Sequence, residues 1–233
     1  MALKSVYLPS PTIQDGKITV TDEEHRHLVV GRAESGEHVE VFDGRGRVWS
    51  CVVTGVAKRQ TLLRVQDERI FPAPKVGLML GMALIRTAPF ELALEKAVEV
   101  GVTRIIPFFA ARSNVSRVER QERWQRIVIE ASKQSKHFHV PMLESPQTLE
   151  DLFTIPATSR IVLAERDGVP LKSALLGPPV LFVVGPEGGW TDVELRSAEG
   201  AGLKLVSLGS EILRAETAAI VGASLIRYEL GDL

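Results

Sequence analysis

Hydrophobic and polar positions alternate in short runs up to residue 70, which is the pattern of β-strands. HVEVFDGRGRVWSCVVTGV carries such runs on both sides of Asp43-Gly44, which predicts a β-hairpin. LKSVYLP, KITV and TLLRVQDERI predict further strands. TDEEHRHLVV predicts a short helix, with Thr21 as its N-cap and Glu24 in the capping-box position. Several short strands separated by turn residues are typical of a small β-barrel.

A different pattern begins after FPAPK, residues 71–75, whose two prolines favour an extended linker. Continuous apolar runs now predict strands that are buried on both faces, and amphipathic segments predict helices between them. Alternating strands and helices indicate a parallel sheet covered by helices on both faces. The predicted strands are VGLMLGMALI, TRIIPFF, SRIVLAE, PVLFVVG and LKLVSL, and the predicted helices are FELALEKAVEVG, ERQERWQRIVIEASKQS, TDVELRSAEGAG and ILRAETAAIVGASLIRYEL.

Composition narrows the classes of protein that this chain can represent. It has 233 residues, of which 45% are hydrophobic and 24% charged, as in ordinary globular proteins. No apolar run is long enough to span a membrane, and MALKSVYLPS lacks the apolar core of a signal peptide, so we expect a cytoplasmic protein. The single cysteine, Cys51, excludes a disulfide framework and is expected in the core.

The net charge and the histidines bear on whether the chain binds nucleic acid or a metal ion. The formal net charge is −1, whereas proteins that bind nucleic acid without specificity are usually basic. An RNA partner would therefore have to be bound by local patches. The five histidines are scattered, so no metal site is expected.

Candidate chemistry lies in three loops that follow predicted strands, because ligands bind beyond the carboxyl ends of the strands in an open parallel sheet. The loops are AERDG, GPEGGWTD and LGSEILRAETA. In the second loop, Gly185, Gly188 and Gly189 allow a ligand to approach the backbone closely, and Thr191 with Glu194 predicts a capped helix start. The plain alternatives are a tight turn that needs only glycine and, in the third loop, a solvated first helical turn. No dinucleotide fingerprint or phosphate loop is present.

GPEGG and LGSEILRAETA together resemble the C-terminal signature of the SPOUT methyltransferases, and within them the 16S ribosomal RNA uracil-N3 methyltransferases. The resemblance extends through ELALEKAVEVGVTRIIPFFAARSNV and RWQRIVIEASKQSKHFHVP. It implies an α/β domain with a trefoil knot over residues 72–233, preceded by a small PUA-like β-barrel over residues 1–71. It also implies a homodimer built partly on the last helix. A face of small residues on that helix fits such an interface or, alternatively, close packing on the chain's own sheet: Ala215, Ala218, Ala219, Gly222 and Ala223.

The resemblance further implies S-adenosyl-L-methionine as cofactor, held by the three loops. By position, the cofactor-binding residues would be Leu163, Ala164, Glu165, Gly185, Pro186, Glu187, Gly188, Gly189, Leu208, Gly209, Ile212, Leu213, Arg214 and Thr217. Arg214 and Glu216 would be catalytic. The expected RNA contacts are His25, Arg32, Arg112 and Ser113.

The expected activity is methylation of N3 of one uridine in the 16S rRNA of the small ribosomal subunit. Departures from the family pattern affect the RNA contacts more than the cofactor site: Val29 replaces a common basic residue, Gly31 a common leucine, Ala215 a frequent threonine, and RTAPFE a lysine-containing loop. Two alternatives remain open. One is a SPOUT methyltransferase acting on transfer RNA or on a ribose 2′-hydroxyl. The other is a noncatalytic RNA-binding module, against which the intact loop motifs count.

Overall fold

The computed structural model describes residues 3–113, 120–165 and 167–232. The chain forms two compact units, of which the first is Met1–Ala73 with Ser132–Val140 and the second is Pro74–Ala131 with Pro141–Leu233. The boundary at residues 73 and 74 lies inside FPAPK. None of the described helices is both long and apolar enough to cross a membrane.

The first unit is built on a mixed six-stranded sheet in the order β1-β4-β5-β6-β3-β2. Strands β1 and β4 are parallel, and the other neighbours are antiparallel. The predicted hairpin at Asp43-Gly44 is confirmed, because β4 and β5 pair across that turn. The elements are β1 (Lys4–Tyr7), β2 (Ile13–Gln14), β3 (Lys17–Val20), α1 (Asp22–Val30), β4 (His38–Phe42), β5 (Arg47–Val56) and β6 (Thr61–Ile70).

Helix α1 forms as predicted, but its predicted capping box is wrong. The Thr21 side chain accepts no capping hydrogen bond, and its hydroxyl donates instead to Asp22 Oδ2 at 2.8 Å. Asp22 has a φ of 54°, in the left-handed region, which removes the regular geometry that a capping box requires. Three acidic residues in the first turn still favour this end of the helix through the helix dipole.

Residues 132–140 group with the first unit, although the sequence placed them in the second domain. Phe138 packs edge-on against Phe42, with ring centroids 5.6 Å apart, and it also contacts Phe71. Lys136 Nζ lies 2.7 Å from Glu40 Oε2, and Lys133 Nζ lies 3.1 Å from Glu24 Oε1. Aromatic burial and two ion pairs therefore hold this segment in the first unit.

The second unit is built on a parallel sheet in the order β10-β8-β7-β13-β11-β14-β12, with β9 paired to β8. Its strands are β7 (Leu78–Ala83), β8 (Arg104–Phe109), β9 (Met142–Leu143), β10 (Gln147–Thr148), β11 (Ser159–Leu163), β12 (Val169–Pro170), β13 (Val180–Val184) and β14 (Lys204–Ser207). Its helices are α2 (Thr87–Glu99), α3 (Gln121–Ser135), α4 (Leu149–Phe153), α5 (Leu171–Ala174), α6 (Asp192–Gly200) and α7 (Ala215–Glu229), and the last four residues of α3 lie in the first unit.

Helices cover both faces of this sheet, as the sequence predicts. Leu181 and Val183 of β13 pack in one apolar cluster with residues of α4 and α6. Phe182 points to the other face, where it lies beside Gly222 of α7. All residues of β7 and β13 are buried. Because neighbouring strands are parallel, their carboxyl ends meet at one edge of the sheet, which is where the candidate loops lie.

The small-residue face of α7 packs inside the chain. Ala215, Ala219, Gly222 and Ala223 are buried within the single chain, and α7 packs on α2, β7 and β13. A Cβ added at Gly222 would lie 2.9 Å from Leu163 Cδ1. These four residues therefore pack on the chain's own sheet, whereas the fifth, Ala218, lines the cavity described below. Leu225 and Tyr228 are the exposed large hydrophobic side chains of α7.

Candidate functional site

A cavity of about 550 Å³ opens at the carboxyl edge of the parallel sheet. Its walls come from the segments that follow four strands, β7, β11, β13 and β14. The lining residues are Arg86, Pro89, Leu163, Ala164, Glu165, Val184, Gly185, Pro186, Glu187, Gly189, Trp190, Ser207, Leu208, Gly209, Glu211, Ile212, Leu213, Arg214, Ala215, Glu216 and Ala218.

The structure brings most of the predicted cofactor-binding residues to this one cavity. Gly188 and Thr217 are the two that do not line it. Both predicted catalytic residues, Arg214 and Glu216, are in the wall. The lining members of the predicted set are Leu163, Ala164, Glu165, Gly185, Pro186, Glu187, Gly189, Leu208, Gly209, Ile212, Leu213 and Arg214. Their roles in binding stay predictions.

Trp190 explains why Gly185 is a glycine. A Cβ at Gly185 would lie 2.7 Å from the Trp190 indole, which is closer than real Cβ atoms approach. The indole Nε1 donates to the carbonyl oxygen of Leu163 at 2.9 Å. On the same ring, Trp190 stacks with Phe108 at an interplanar angle of 8°. One side chain thus ties the end of β11 to the loop after β13, which fixes two walls of the cavity.

Gly188 contacts Arg112 rather than the cavity. A Cβ at Gly188 would lie 3.1 Å from Arg112 Cβ. Arg112 Nη1 donates to the carbonyl oxygen of Gly188 at 3.0 Å and to that of Trp190 at 3.2 Å. Arg112, which the sequence predicts to contact RNA, therefore holds the glycine loop in place through these two hydrogen bonds. Ser113 closes a turn with Ala110 through hydrogen bonds of 3.0 and 3.1 Å.

The predicted capping box at the start of α6 is confirmed. The Thr191 hydroxyl accepts from the Glu194 amide, and the Glu194 carboxylate accepts from the Thr191 amide at 2.8 Å. The other carboxylate oxygen of Glu194 accepts from the Ala111 amide at 2.9 Å. The loop after β8 is thus held at two points: its Ala111 amide donates to Glu194 in the first turn of α6, and its Arg112 side chain donates to the loop after β13.

Helix α7 begins later than predicted, and this places its start in the cavity wall. Arg214 is the N-cap, with extended backbone and no capping hydrogen bond from its side chain. Ile212 and Leu213 are therefore not helical and line the cavity. The first backbone N–H groups of a helix have no partner within it and carry partial positive charge. The start of α7 consequently offers amide donors beside Glu216.

Charged side chains are concentrated in the cavity wall. Four glutamates, Glu165, Glu187, Glu211 and Glu216, line it with Arg86 and Arg214, so the described lining carries more negative than positive formal charge. Arg86 Nε donates to Glu187 Oε1 at 2.9 Å. The hydrogen bond with Glu187 and then the charge of Glu187 raise the pKa of Arg86 above its ordinary value, with a smaller contribution from the charge of Glu216.

The predicted RNA contacts of the first unit differ in exposure. His25 is buried, with its Nδ1 2.9 Å from Thr61 Oγ1. It joins α1 to β6, and its role in RNA binding stays a prediction. Arg32 is exposed just after α1, in the left-handed region at a φ of 53°. Among the described residues there is no cluster of three or more side chains suited to hold a metal ion.

Sequence reasoning did not single out several lining residues, notably Arg86, Trp190 and Glu211, although Glu211 stands in the third candidate loop. Arg86 follows the apolar run of β7, so its place after a strand of the parallel sheet was the available signal. Trp190 stands inside the GPEGGW motif but was not singled out. The other missed residues are Pro89, Val184, Ser207, Ala215 and Ala218.

Comparison with known proteins adds an independent line of evidence. The family model of the RNA methyltransferase domain matches residues 72–227, and that of the RNA methyltransferase PUA domain matches residues 20–66. Ribosomal RNA small subunit methyltransferase E of Rickettsia conorii is 30% identical over 97% of this chain and 96% of its own length. The protein of the same name from Synechocystis is 32% identical over 97% of this chain and 77% of its own length.

A solved structure has the same fold over nearly the whole chain. It is a ribosomal RNA small subunit methyltransferase E from Neisseria gonorrhoeae bound to S-adenosyl methionine, with a TM-score of 0.91 and 28% sequence identity. The match covers 97% of this chain and 98% of that one.

Proposed function

This chain belongs to the RNA methyltransferase family, and from that premise we propose that it transfers the methyl group of S-adenosylmethionine to N3 of one uridine in 16S rRNA. The observation that carries the proposal is the cavity at the carboxyl edge of the sheet, built from the loops after β11, β13 and β14. Relatives of similar length are named ribosomal RNA small subunit methyltransferases, and one is bound to this cofactor.

The cavity suits a nucleoside with a charged tail. Its volume of about 550 Å³ is within the range of small-molecule sites. Ile212 is 63% exposed in the wall, so an apolar surface is available to cover a base. Amide donors at the start of α7 and the nearby carboxylates are suited to the hydroxyl, amino and carboxylate groups of the cofactor. We propose that the three loops hold it through these groups.

When bound, the cofactor supplies a methyl group that is already activated by its sulfonium. The residues of the chain must then align that methyl group with N3, and alignment contributes much of the rate in such reactions. N3 of uracil carries a proton at neutral pH and must lose it. Glu216, in the first turn of α7, is the carboxylate that we propose accepts it, and Arg214 stabilises the negative charge that develops.

RNA would be bound at two separate places. Arg32, in the first unit, and Arg112, in the second, are exposed and suited to phosphates. A formal net charge of −1 gives little general attraction to a polyanion. We therefore propose that the folded surface of the small subunit, rather than naked RNA, is the substrate. The target base must leave its stack to reach the cavity.

We further propose the trefoil knot and the homodimer that the SPOUT resemblance implies. The three cavity loops follow β11, β13 and β14, which are neighbours in the sheet and lie in the part of the chain where such a knot would form. For the dimer, Leu225 and Tyr228 are exposed on α7, at 38% and 67%. These side chains, rather than the buried small residues, would contact the partner.

Nucleoside mass spectrometry of ribosomal RNA tests the activity in cells. Small-subunit RNA from a strain that lacks the gene should contain no 3-methyluridine at the target site. The wild-type gene should restore it, and a Glu216→Gln gene should not. A methyl group restored on a ribose hydroxyl, or on transfer RNA, would instead support the other SPOUT activity.

A further inference from the structure

Arg86 lies in the cavity wall but has no role in the reaction as proposed above. It lies three residues after the end of β7 and is the N-cap residue of α2. Its side chain is 75% exposed, although it belongs to the lining. A cation that is held at a ligand cavity and is still open to solvent is available to a ligand.

The orientation of this guanidinium is set by Glu187. Nε donates to Glu187 Oε1 at 2.9 Å, whereas neither terminal amino group of Arg86 donates a hydrogen bond to any described residue. A guanidinium is planar, so a partner at Nε fixes the plane of the whole group. Arg86 therefore presents two terminal amino groups that this hydrogen bond orients and that donate to no described residue.

Glu216 is close enough to act on the same guanidinium through its charge, after the larger effect of Glu187. Both glutamates and Arg86 line the cavity. A fixed cation and a carboxylate that accepts a proton are the two groups needed to form and stabilise the anion of a weakly acidic base.

We propose that Arg86 is a catalytic residue that binds the acceptor uracil, with its terminal amino groups donating to a carbonyl oxygen beside N3. This inference rests on the proposed function. The N3–H proton passes to the Glu216 carboxylate, and the electron pair of that bond stays on N3. N3 then bonds to the methyl carbon as the methyl–sulfur bond breaks, with the electron pair of that bond remaining on sulfur. Charge on N3 is shared with the flanking carbonyl oxygens, where the guanidinium stabilises it.

The same pair of donors also fits the carboxylate of the cofactor, since both ligands present planar, electron-rich oxygens. The two assignments differ in what the loss of Arg86 changes. If Arg86 contacts the acceptor uracil, its loss slows methyl transfer and leaves the affinity for the cofactor unchanged. If Arg86 contacts the carboxylate of the cofactor, its loss weakens cofactor binding even in the absence of RNA.

The experiment compares Arg86→Gln and Arg86→Lys with a control, Arg196→Gln, which removes an exposed arginine of α6 outside the cavity. Calorimetry measures the Kd of S-adenosylmethionine for the free proteins. Single-turnover transfer of a tritiated methyl group to assembled small subunits is measured from pH 6.5 to 9.5.

We expect every variant to bind the cofactor within about twofold of wild type. Arg86→Gln should slow transfer by about 10² to 10³. Its rate should level off about one pH unit higher, because the anion of the base is less stabilised. Arg86→Lys keeps the charge without the fixed pair of donors, so it should lose about tenfold. Arg196→Gln should match wild type.

A Kd raised tenfold or more in Arg86→Gln would assign this guanidinium to the cofactor carboxylate and overturn the proposal. An unchanged rate and pH profile in folded Arg86→Gln would overturn it as well. If Arg86→Gln does not fold, a wild-type rate of methyl transfer in folded Arg86→Lys would overturn the proposal instead. Failure of the proposed function is a separate result, since wild-type protein would then yield no 3-methyluridine.

Discussion

Trp190 Nε1 donates a 2.9 Å hydrogen bond to the carbonyl oxygen of Leu163, and its indole lies against Gly185 so closely that no larger residue fits there. Leu163 ends β11, and Gly185 follows β13. The indole therefore holds two loops of the cavity at a fixed separation. The glycine-rich loop serves the packing of the chain at least as much as access for a ligand.

Trp190→Phe should weaken binding of S-adenosylmethionine by about three- to tenfold, because it removes one half-buried hydrogen bond and keeps an aromatic ring in place. Titration calorimetry measures the change. Trp124→Phe is a matched control, since Trp124 is buried away from the cavity and its Nε1 has no partner among the described residues. Equal affinities for Trp190→Phe and the control would show that the hydrogen bond does not shape the cavity.

Gly188→Val should weaken cofactor binding indirectly, because the new side chain would press on Arg112 rather than enter the cavity. Arg112→Ala should also weaken it, by about three- to tenfold in the absence of RNA, since two carbonyl oxygens of the loop lose their donor. The double variant should lose less than the sum of the two changes in binding free energy. Strict additivity would mean that Gly188 and Arg112 act independently. If Arg112→Ala binds S-adenosylmethionine as tightly as wild type, Arg112 does not shape the cofactor cavity, and contact with RNA would be its one remaining proposed role.

The positions of the cavity loops were predictable from sequence, since GPEGG and LGSEILRAETA stand directly after buried apolar runs. Parallel pairing then brings such loops to one edge. Contacts between distant positions were not predictable in the same way. Nothing in the pattern shows that Gly188 meets Arg112, or that Arg86 donates to Glu187, because both pairs form only when separate loops converge.

Local signals also failed where tertiary contacts or backbone geometry decide the structure. Thr21 and Thr191 both precede a glutamate at the capping-box spacing, but only Thr191 forms the box. The segment with Phe138 follows a long helical pattern, yet its aromatic ring belongs to the core of the first unit. On α7, small residues suited either an interface or the chain's own sheet, and four of the five are buried inside the chain.

Cys51 provides a prediction of pH dependence. Burial raises the pKa of its thiol to about 11, from an ordinary value of 9.0. Between these two values the unfolded chain loses the thiol proton while the folded chain retains it, so alkali favours unfolding. Because of this thiol, the free energy of unfolding should be about 2 kcal/mol lower at pH 11 than at pH 9. Urea titrations of wild type and Cys51→Ala over this range measure the loss. The same pH dependence in both proteins would contradict the prediction.

The proposed dimer predicts a species of twice the 25.5 kDa chain mass in light scattering at micromolar concentration. Tyr228→Glu places a charge at an exposed position of α7 and should shift the protein to monomer without loss of folding. Val193→Glu, on the exposed face of α6, is the control. A wild-type protein that is monomeric throughout the concentration range would exclude the dimer.

The central claim, methylation of one uridine at N3 within the assembled small subunit, is tested most directly by transfer of a tritiated methyl group. Assembled small subunits and protein-free 16S rRNA, both lacking the modification, are compared at matched concentration. Nucleoside analysis of the labelled RNA then locates the methyl group. We predict transfer to a single uridine, on N3, at least about tenfold faster in the assembled subunit than in the free RNA, because the protein has little net attraction for RNA as such. Equal rates on the two substrates, or a methyl group on a ribose, would contradict this account.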